Sequence, residues 1–271
     1  MYTVSSEIYK EVDYEQVRTK GNNVISKFKF HYPGVVVDND GDLDVRQHRV
    51  GVIELEHSTA TELKLVGLQV WRGALLLADY MFANRDELKT KTIMELGAGM
   101  GLTSIAAAIH NSGKTYCTDV DLGCILQLIR SNVKRNAALL SGEIKVLEYD
   151  FLRNPSEYSS ELISAIDDSD VVLAADVIYD DTLTDAFIAV IDQIFARGVQ
   201  TSRAKSIYVA LEKRYVFTLE DCNSVAPMYE YFLKQTSKKP WFFENVPLDF
   251  PQFFAYDRCK QLVLIRITNR A

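Results

Sequence analysis

The chain has 271 residues, 48% hydrophobic and 25% charged, with a net charge of −7 and a pI near 5.2. That length supports one large core, or one domain plus an appendage. The acidic balance argues against broad, charge-driven binding to nucleic acid and suits a basic protein partner, and no apolar run approaches the roughly 20 residues of a membrane span.

The opening stretch MYTVSSEIYKEVDYEQ is polar and acidic, so it is expected to be neither a signal peptide nor a transit peptide. Residues 1–50 alternate charge and aromatic residues. They are expected to form an N-terminal extension packed on a main domain of residues 51–271. Phe28 to Tyr32 predicts a short strand. Asp38 to Asp44 invites a calcium reading that fails. Setting Gly41 at loop position six puts Val36 at position one and Gln47 at position twelve, where an EF-hand needs carboxylates. A solvated acidic turn is expected there instead.

Thr59 to Phe82 carries a helical stripe that includes Leu65, Leu68, Trp71, Leu75 and Leu76. Strands and helices then alternate. Strand 91–96 leads to helix 102–111, and strand 114–120 to helix 122–140. Strand 143–149 precedes a polar stretch, Asn154 to Asp168. Strand 171–175 leads to helix 183–196, and strand 206–211 to a helix over 219–235, interrupted near Pro227. Two strands, 241–246 and 261–267, close the chain without a helix between them. This order predicts an α/β fold: a Rossmann-like, mostly parallel sheet with helices on both faces and a C-terminal antiparallel hairpin.

The chemistry concentrates at Glu95-Leu96-Gly97-Ala98-Gly99-Met100-Gly101-Leu102. An apolar strand ends in an acid, and three glycines fall within five positions before a helix starts. Glycines let a turn take positive φ and let a ligand approach the backbone. Such a turn lies at the carboxyl end of a strand, where doubly wound sheets bind nucleotides. Asp119, roughly 20 residues further on, is placed to accept hydrogen bonds from both ribose hydroxyls. Capping of the next helix is the competing role for Asp119, and Asp121 is its rival for the ribose. The spacing G-x-G-x-G, with Glu95 before it, leaves little room for a pyrophosphate, and a carboxylate repels one. It suits a ligand with a cationic or zwitterionic tail, such as S-adenosyl-L-methionine. The four cysteines, Cys117, Cys124, Cys222 and Cys259, have neither zinc spacing nor disulfide density, and no metal is expected.

Together with Val70-Trp71-Arg72-Gly73-Ala74 before the turn and Ala175-Asp176-Val177-Ile178-Tyr179 after it, these residues resemble the seven-strand, class I methyltransferases. More narrowly they resemble the family 16 methyltransferase-like proteins, over about residues 50–267. Tyr116-Cys117-Thr118-Asp119-Val120 and Glu212-Lys213-Arg214 add to the match. The resemblance implies an S-adenosyl-L-methionine-dependent methyltransferase, yielding S-adenosyl-L-homocysteine and acting on lysine in a protein substrate. Gly97, Ala98, Gly99 and Gly101 would lie against the methionine part, and Glu95 would face its ammonium. Asp119 would hold the ribose, and Asp150 and Phe151 would flank the adenine. Phe151 stands where relatives often carry Trp, and core packing is its other reading. Trp71 would cover the cofactor, although its helical stripe alone reads as core. Ala175 ends the fourth strand beside Asp176, which would meet the substrate amine, with Tyr179 walling the lysine channel. Capping of the following helix is the alternative for Asp176.

Three functions stay open on sequence: protein-lysine methylation, methylation of another acceptor (protein histidine, an N-terminus, RNA or a small molecule), or a non-catalytic cofactor-binding module. The acidic charge and the lack of a Pro-Pro-aromatic base-amine motif argue against RNA. A monomer without direct nucleic-acid binding and without membrane attachment is expected, with residence in the nucleus or cytoplasm.

Overall fold

The computed structural model describes residues 3–19, 21–32, 50–111, 113–218 and 223–269. The acidic turn expected at 38–44, Cys222 and residues 219–222 of the expected helix lie outside the described residues. The elements run α1 (Ile8–Glu11), β1 (Gln16–Arg18), β2 (Asn23–His31), β3 (Val50–Ser58), a 3-10 turn (Leu63–Leu68), α2 (Arg72–Ala83) and α3 (Arg85–Leu88). There follow β4 (Ile93–Leu96), α4 (Leu102–His110), β5 (Lys114–Asp119), α5 (Ile125–Arg135), β6 (Glu143–Glu148), α6 (Ser160–Asp168), β7 (Val171–Ala175) and α7 (Asp181–Gln200). The chain ends with β8 (Ser206–Glu212), β9 (Val216–Thr218), β10 (Asn223–Val225), α8 (Pro227–Thr236), β11 (Trp241–Asn245) and β12 (Leu262–Asn269).

The seven-stranded sheet has the order β11-β12-β8-β7-β4-β5-β6. From β6 to β8 all neighbours are parallel, and β12 runs antiparallel to both β8 and β11. Every residue of β4 is buried, as a central parallel strand covered on both faces requires. The pleat sorts its side chains: Ile93 joins the core under α2 and α4, whereas Met94 and Leu96 join the core under α6 and α7. β8 splits likewise, Tyr208 and Ala210 against Ile207, Val209 and Leu211.

The smaller sheet, β1-β2-β3, is antiparallel. Residues 50 and 51 belong to β3, so a division at residue 51 cuts a strand. Asn132 and Asn136, one turn apart on the α5 face, dock this sheet. Their amides take the Glu56 and Glu54 backbone N–H groups at 2.8 and 2.9 Å and donate to the same residues' carbonyls at 3.1 and 2.8 Å. The two side chains thus act as a surrogate neighbouring strand.

Three predicted elements differ. The helix expected over 59–82 is broken, because Gln69 and Trp71 are extended and α2 starts only at Arg72. Polar partners outside the helix hold the break: Val70 N–H donates to the Tyr9 hydroxyl at 2.9 Å, and Trp71 Nε1–H to the Val66 carbonyl at 3.0 Å. Tertiary hydrogen bonds outweigh the local pattern here. The polar stretch 154–168 contains α6, whose Ser159 Oγ accepts from Leu162 N–H while Leu162, Ala165 and Ile166 are buried at helical spacing. The expected interruption near Pro227 is instead a start, with Pro227 at the first position of α8 after the β9–β10 pair.

Candidate active site

The carboxyl ends of β4, β5 and β7 and the stretch after β6 open onto one cavity of about 600 Å³. Small-molecule sites fall between about 300 and 1,000 Å³. Glu95, Gly97, Ala98, Gly99, Asp119, Asp150, Phe151, Ala175, Asp176, Tyr179 and Trp71 all line it.

Gly101, also expected to touch the cofactor, does not line the cavity. At φ +83 it caps α4 with its Cα turned inward, 3.4 Å from Ile129 Cγ2 and 3.7 Å from Cys117 Sγ for an added Cβ. Its role is to start the helix. Gly97 and Gly99 have φ of +64 and +55. A Cβ at Gly97 would sit 2.8 Å from Val177 Cγ1, and one at Gly99 2.9 Å from the Gly67 carbonyl oxygen. Glycine therefore fits both positions twice over, by backbone conformation and by space.

Asp119 is the last residue of β5, and Asp121 does not line the cavity. Asp119 Oδ2 accepts the Gly99 N–H at 2.7 Å and Oδ1 the Val120 N–H at 2.7 Å. It ties the glycine turn to the neighbouring strand and does not cap α5, which carries no side-chain cap. Burial pushes its carboxyl up to about 6, against the pull of those two N–H groups. Glu95 is deeper. One carboxylate oxygen accepts from both Ser104 N–H (2.8 Å) and Ser104 Oγ–H (2.5 Å) in the first turn of α4. Burial pushes this group up to about 7, with the Ser104 and Thr103 hydrogen bonds opposing and the charge of Asp119 adding to the rise.

On the far side, Asp176 adopts φ +52, a left-handed conformation uncommon outside glycine. Its own N–H donates to the Ala210 carbonyl at 2.8 Å, Oδ2 accepts Gly73 N–H at 2.7 Å, and Oδ1 accepts Glu212 N–H at 3.0 Å. A cap role was the alternative for Asp176, and it does cap a helix, but the helix is α2. The helix that follows, α7, is capped by Asp180, which accepts Leu183 N–H. Burial raises the Asp176 carboxyl above the usual range, while the Arg214 charge and the two N–H donors pull it down. Tyr179 is half-buried, and burial followed by the charges of Asp119 and Asp180 pushes its hydroxyl up to about 12, so it stays protonated.

Asp150 Oδ1 accepts the Leu152 N–H at 2.9 Å in a tight turn. Phe151 both lines the cavity and packs on the core, edge-on to Tyr149 at 5.7 Å and tilted on Phe187 at 5.9 Å. Trp71 sits at the break before α2, not on a helical stripe, with the Arg214 guanidinium 4.8 Å over its ring. Among the wall residues that sequence reasoning missed are Val66, Gly67, Gln69 and Val70, whose segment lies across the glycine turn. A glycine inside a helix-like run, Gly67, was their one visible signal. Among the described residues no cluster of His, Cys, Asp and Glu suits a metal ion, and no helix is long and apolar enough to cross a membrane.

A mostly parallel seven-stranded sheet with an antiparallel last strand, a glycine turn after β4 and an acid ending β5 defines a Rossmann-like class I methyltransferase fold. The sequence model of the lysine methyltransferase family matches residues 53–225, and the chain belongs to that family. It is 36% identical to methyltransferase-like protein 22 of Mus musculus over 84% of this chain and 62% of that protein. It is 26% identical to protein-lysine N-methyltransferase EEF2KMT of Mus musculus over 79% of this chain and 62% of that protein. The chain thus spans about three fifths of the length of these curated relatives. Among solved structures, the methyltransferase domain of bacterial CtHen1-C aligns with a TM-score of 0.47 at 12% identity, over 72% of this chain and 100% of that one.

Proposed function

We propose that the chain transfers a methyl group from S-adenosyl-L-methionine to a lysine side chain of a protein. The observation that carries the reading is convergence: the glycine turn, the β5 acid and the acid after β7 face one cavity of suitable size. The cradle suits the cofactor, because Gly97 and Gly99 line the cavity with bare backbone and the carboxylates of Glu95 and Asp119 border it. When bound, S-adenosyl-L-methionine supplies a sulfonium-bound methyl carbon open to in-line attack and leaves as S-adenosyl-L-homocysteine.

This chain's residues bind and aim. The Gly97–Gly99 backbone would hold the methionine part, and Glu95 would offer its carboxylate to the ammonium. Each Asp119 oxygen keeps a second lone pair for a ribose hydroxyl beside the N–H it already accepts. Asp150 and Phe151 border the adenine, Phe151 with a ring face, and Trp71 and Ala175 close the cofactor side of the acceptor end. The lysine arrives as an ammonium, drawn by Asp176 and by the π face of Tyr179. Its proton leaves to water or to Asp176, which frees the nitrogen lone pair for the methyl group that the bound cofactor would supply, the sulfur keeping the C–S pair. Positioning and electrostatics supply most of the rate. Protein lysine is favoured as acceptor because a relative carries that name, and because exposed Asp180 lines the cavity of a chain with net charge −7. The proposal includes a monomeric enzyme that does not bind nucleic acid directly and works in the nucleus or cytoplasm.

Purified chain, methyl-labelled S-adenosyl-L-methionine and a cell extract test this. A discrete labelled protein, with the label on lysine by mass spectrometry, is expected. Label confined to RNA or to small molecules, or none, would overturn it.

A further inference from the structure

Of four consecutive residues, 69 to 72, the stretch 4–11, far away in sequence, holds three directly and Trp71 through Arg214. Gln69 is buried. Its Oε1 accepts Ser6 N–H at 2.9 Å, and its Nε2 donates to the Val4 carbonyl at 3.1 Å and to Thr61 Oγ1 at 2.7 Å. Val4 and Thr61 also exchange backbone hydrogen bonds at 2.8 and 3.0 Å. Val70 N–H ends on the Tyr9 hydroxyl at 2.9 Å. The Tyr9 ring stacks on His57 of β3 at 5.0 Å and 7°, and the far side of His57 is fixed by Ser26 Oγ at 2.7 Å. Trp71 carries Arg214 over its ring, and Arg214 pairs with Glu7 at 3.6 Å. Buried Arg72 pairs with Glu11 and, at 2.6 Å, with Glu212.

Three of those four residues, Gln69, Val70 and Trp71, line the cavity, and Gly67 of the same segment faces Gly99 and Asp119. An extended segment such as 69–71 has no helical hydrogen bonds of its own to keep it in place. Its polar groups must be satisfied from elsewhere: the Val66 carbonyl takes Gln69 N–H and Trp71 Nε1–H, Thr61 takes one amide hydrogen of Gln69, and residues 4–9 satisfy the rest of the Gln69 amide and Val70 N–H.

We infer that residues 4–11 are a clamp that positions the wall 66–72 over the bound cofactor, with Tyr9 as its central positioning residue. The inference rests on the proposed cofactor site. Tyr9 touches no reacting atom. It acts through Val70, and its ring carries the position of β3 to the wall. Removing the hydroxyl leaves the stacked ring in place but strips Val70 N–H of its acceptor; it also takes a 3.1 Å partner from His57 Nδ1, which keeps the Ser58 carbonyl at 2.9 Å, so the wall loosens while the core stays packed.

The experiment compares wild type with Tyr9→Phe and Glu7→Ala, using S-adenosyl-L-homocysteine as the probe. Calorimetry should show affinity about tenfold weaker for Tyr9→Phe, the scale of one orphaned buried N–H. For Glu7→Ala, a half-exposed rim pair, the loss should be about twofold. Hydrogen exchange should speed across 66–72 while β4, β5 and β7 keep their protection. A role in stability alone would lower the melting temperature and leave both readouts unmoved, and that result overturns the clamp. Should Tyr9→Phe fail to fold, unchanged affinity and exchange in Glu7→Ala overturn it equally. A wild-type chain that binds no S-adenosyl-L-homocysteine refutes the cofactor site first and the clamp with it. Binding by wild type with intact variants refutes the clamp alone.

Discussion

The two ends of the cavity are built by different means. At the proposed cofactor end, β4, the turn, α4 and β5 follow one another in the chain, and the left-handed backbone is assigned to glycine. At the proposed acceptor end the left-handed residue is an aspartate, and three hydrogen bonds to residues 73, 210 and 212 hold it. A non-glycine residue there costs about 1–2 kcal/mol, which those bonds offset. The cofactor end is thus specified locally, whereas the acceptor end exists only when three distant segments meet. Gly73 shows how tight that meeting is, since an added Cβ would lie 2.6 Å from Asp176 Oδ2.

The largest expected effect breaks the local end. Asp119→Ala removes the acceptor of Gly99 N–H together with both proposed ribose bonds. Hydrogen bonds to a charged group contribute about 1.5–3 kcal/mol each, so the affinity for S-adenosyl-L-homocysteine should fall about a thousandfold by calorimetry. Normal affinity in this variant would remove Asp119 from the ribose.

The tertiary end needs a gentler substitution. Asp176→Ala would orphan the Gly73 and Glu212 N–H groups and confuse folding with catalysis. Asp176→Asn keeps an oxygen for one of them and deletes the charge. Its turnover should drop about a hundredfold, the scale of a lost electrostatic contact in a transition state. Its affinity for S-adenosyl-L-homocysteine should stay within about threefold, because the charge serves the amine and not the cofactor. Equal losses in both would merge the two ends into one unit.

This contrast also explains what could be read from sequence. The order of strands and helices, the glycine turn and Asp119 are local patterns, and each was legible. The break at 69–71 was not, because Leu65, Leu68, Trp71 and Leu75 keep a helical period that only the hydrogen bonds from Tyr9 and Val4 override. Helix α6 was missed because its buried face is three residues among Ser, Asp and Glu. Spacing cannot tell a glycine that borders the cavity, as Gly97 and Gly99 do, from one that starts a helix away from it, as Gly101 does. For Asp176 a capping role was one expectation, but the helix it caps precedes it by a hundred residues of chain, beyond any local pattern.

The smallest effect sharpens the electrostatics of the local end. Burial raises Glu95 from 4.5 to about 7 and Asp119 from 3.8 to about 6. The folded chain therefore holds these protons more tightly than the unfolded chain does. The stability they contribute is complete below pH 4 and is lost as pH rises through about 6 and then about 7. Above pH 7 each buried charge costs about 3 kcal/mol at most. A ligand that brings an ammonium and two hydroxyl donors favours the charged forms. Between pH 6 and pH 8 the ligand-free melting temperature should fall, while the rise produced by S-adenosyl-L-homocysteine should grow, with affinity tightening about tenfold. Glu95→Gln should abolish the upper step and leave the one near pH 6. Thermal melts with and without ligand at pH 6, 7 and 8 measure both trends, and a ligand-induced shift that shrinks with pH would mean that neither carboxylate faces the ligand.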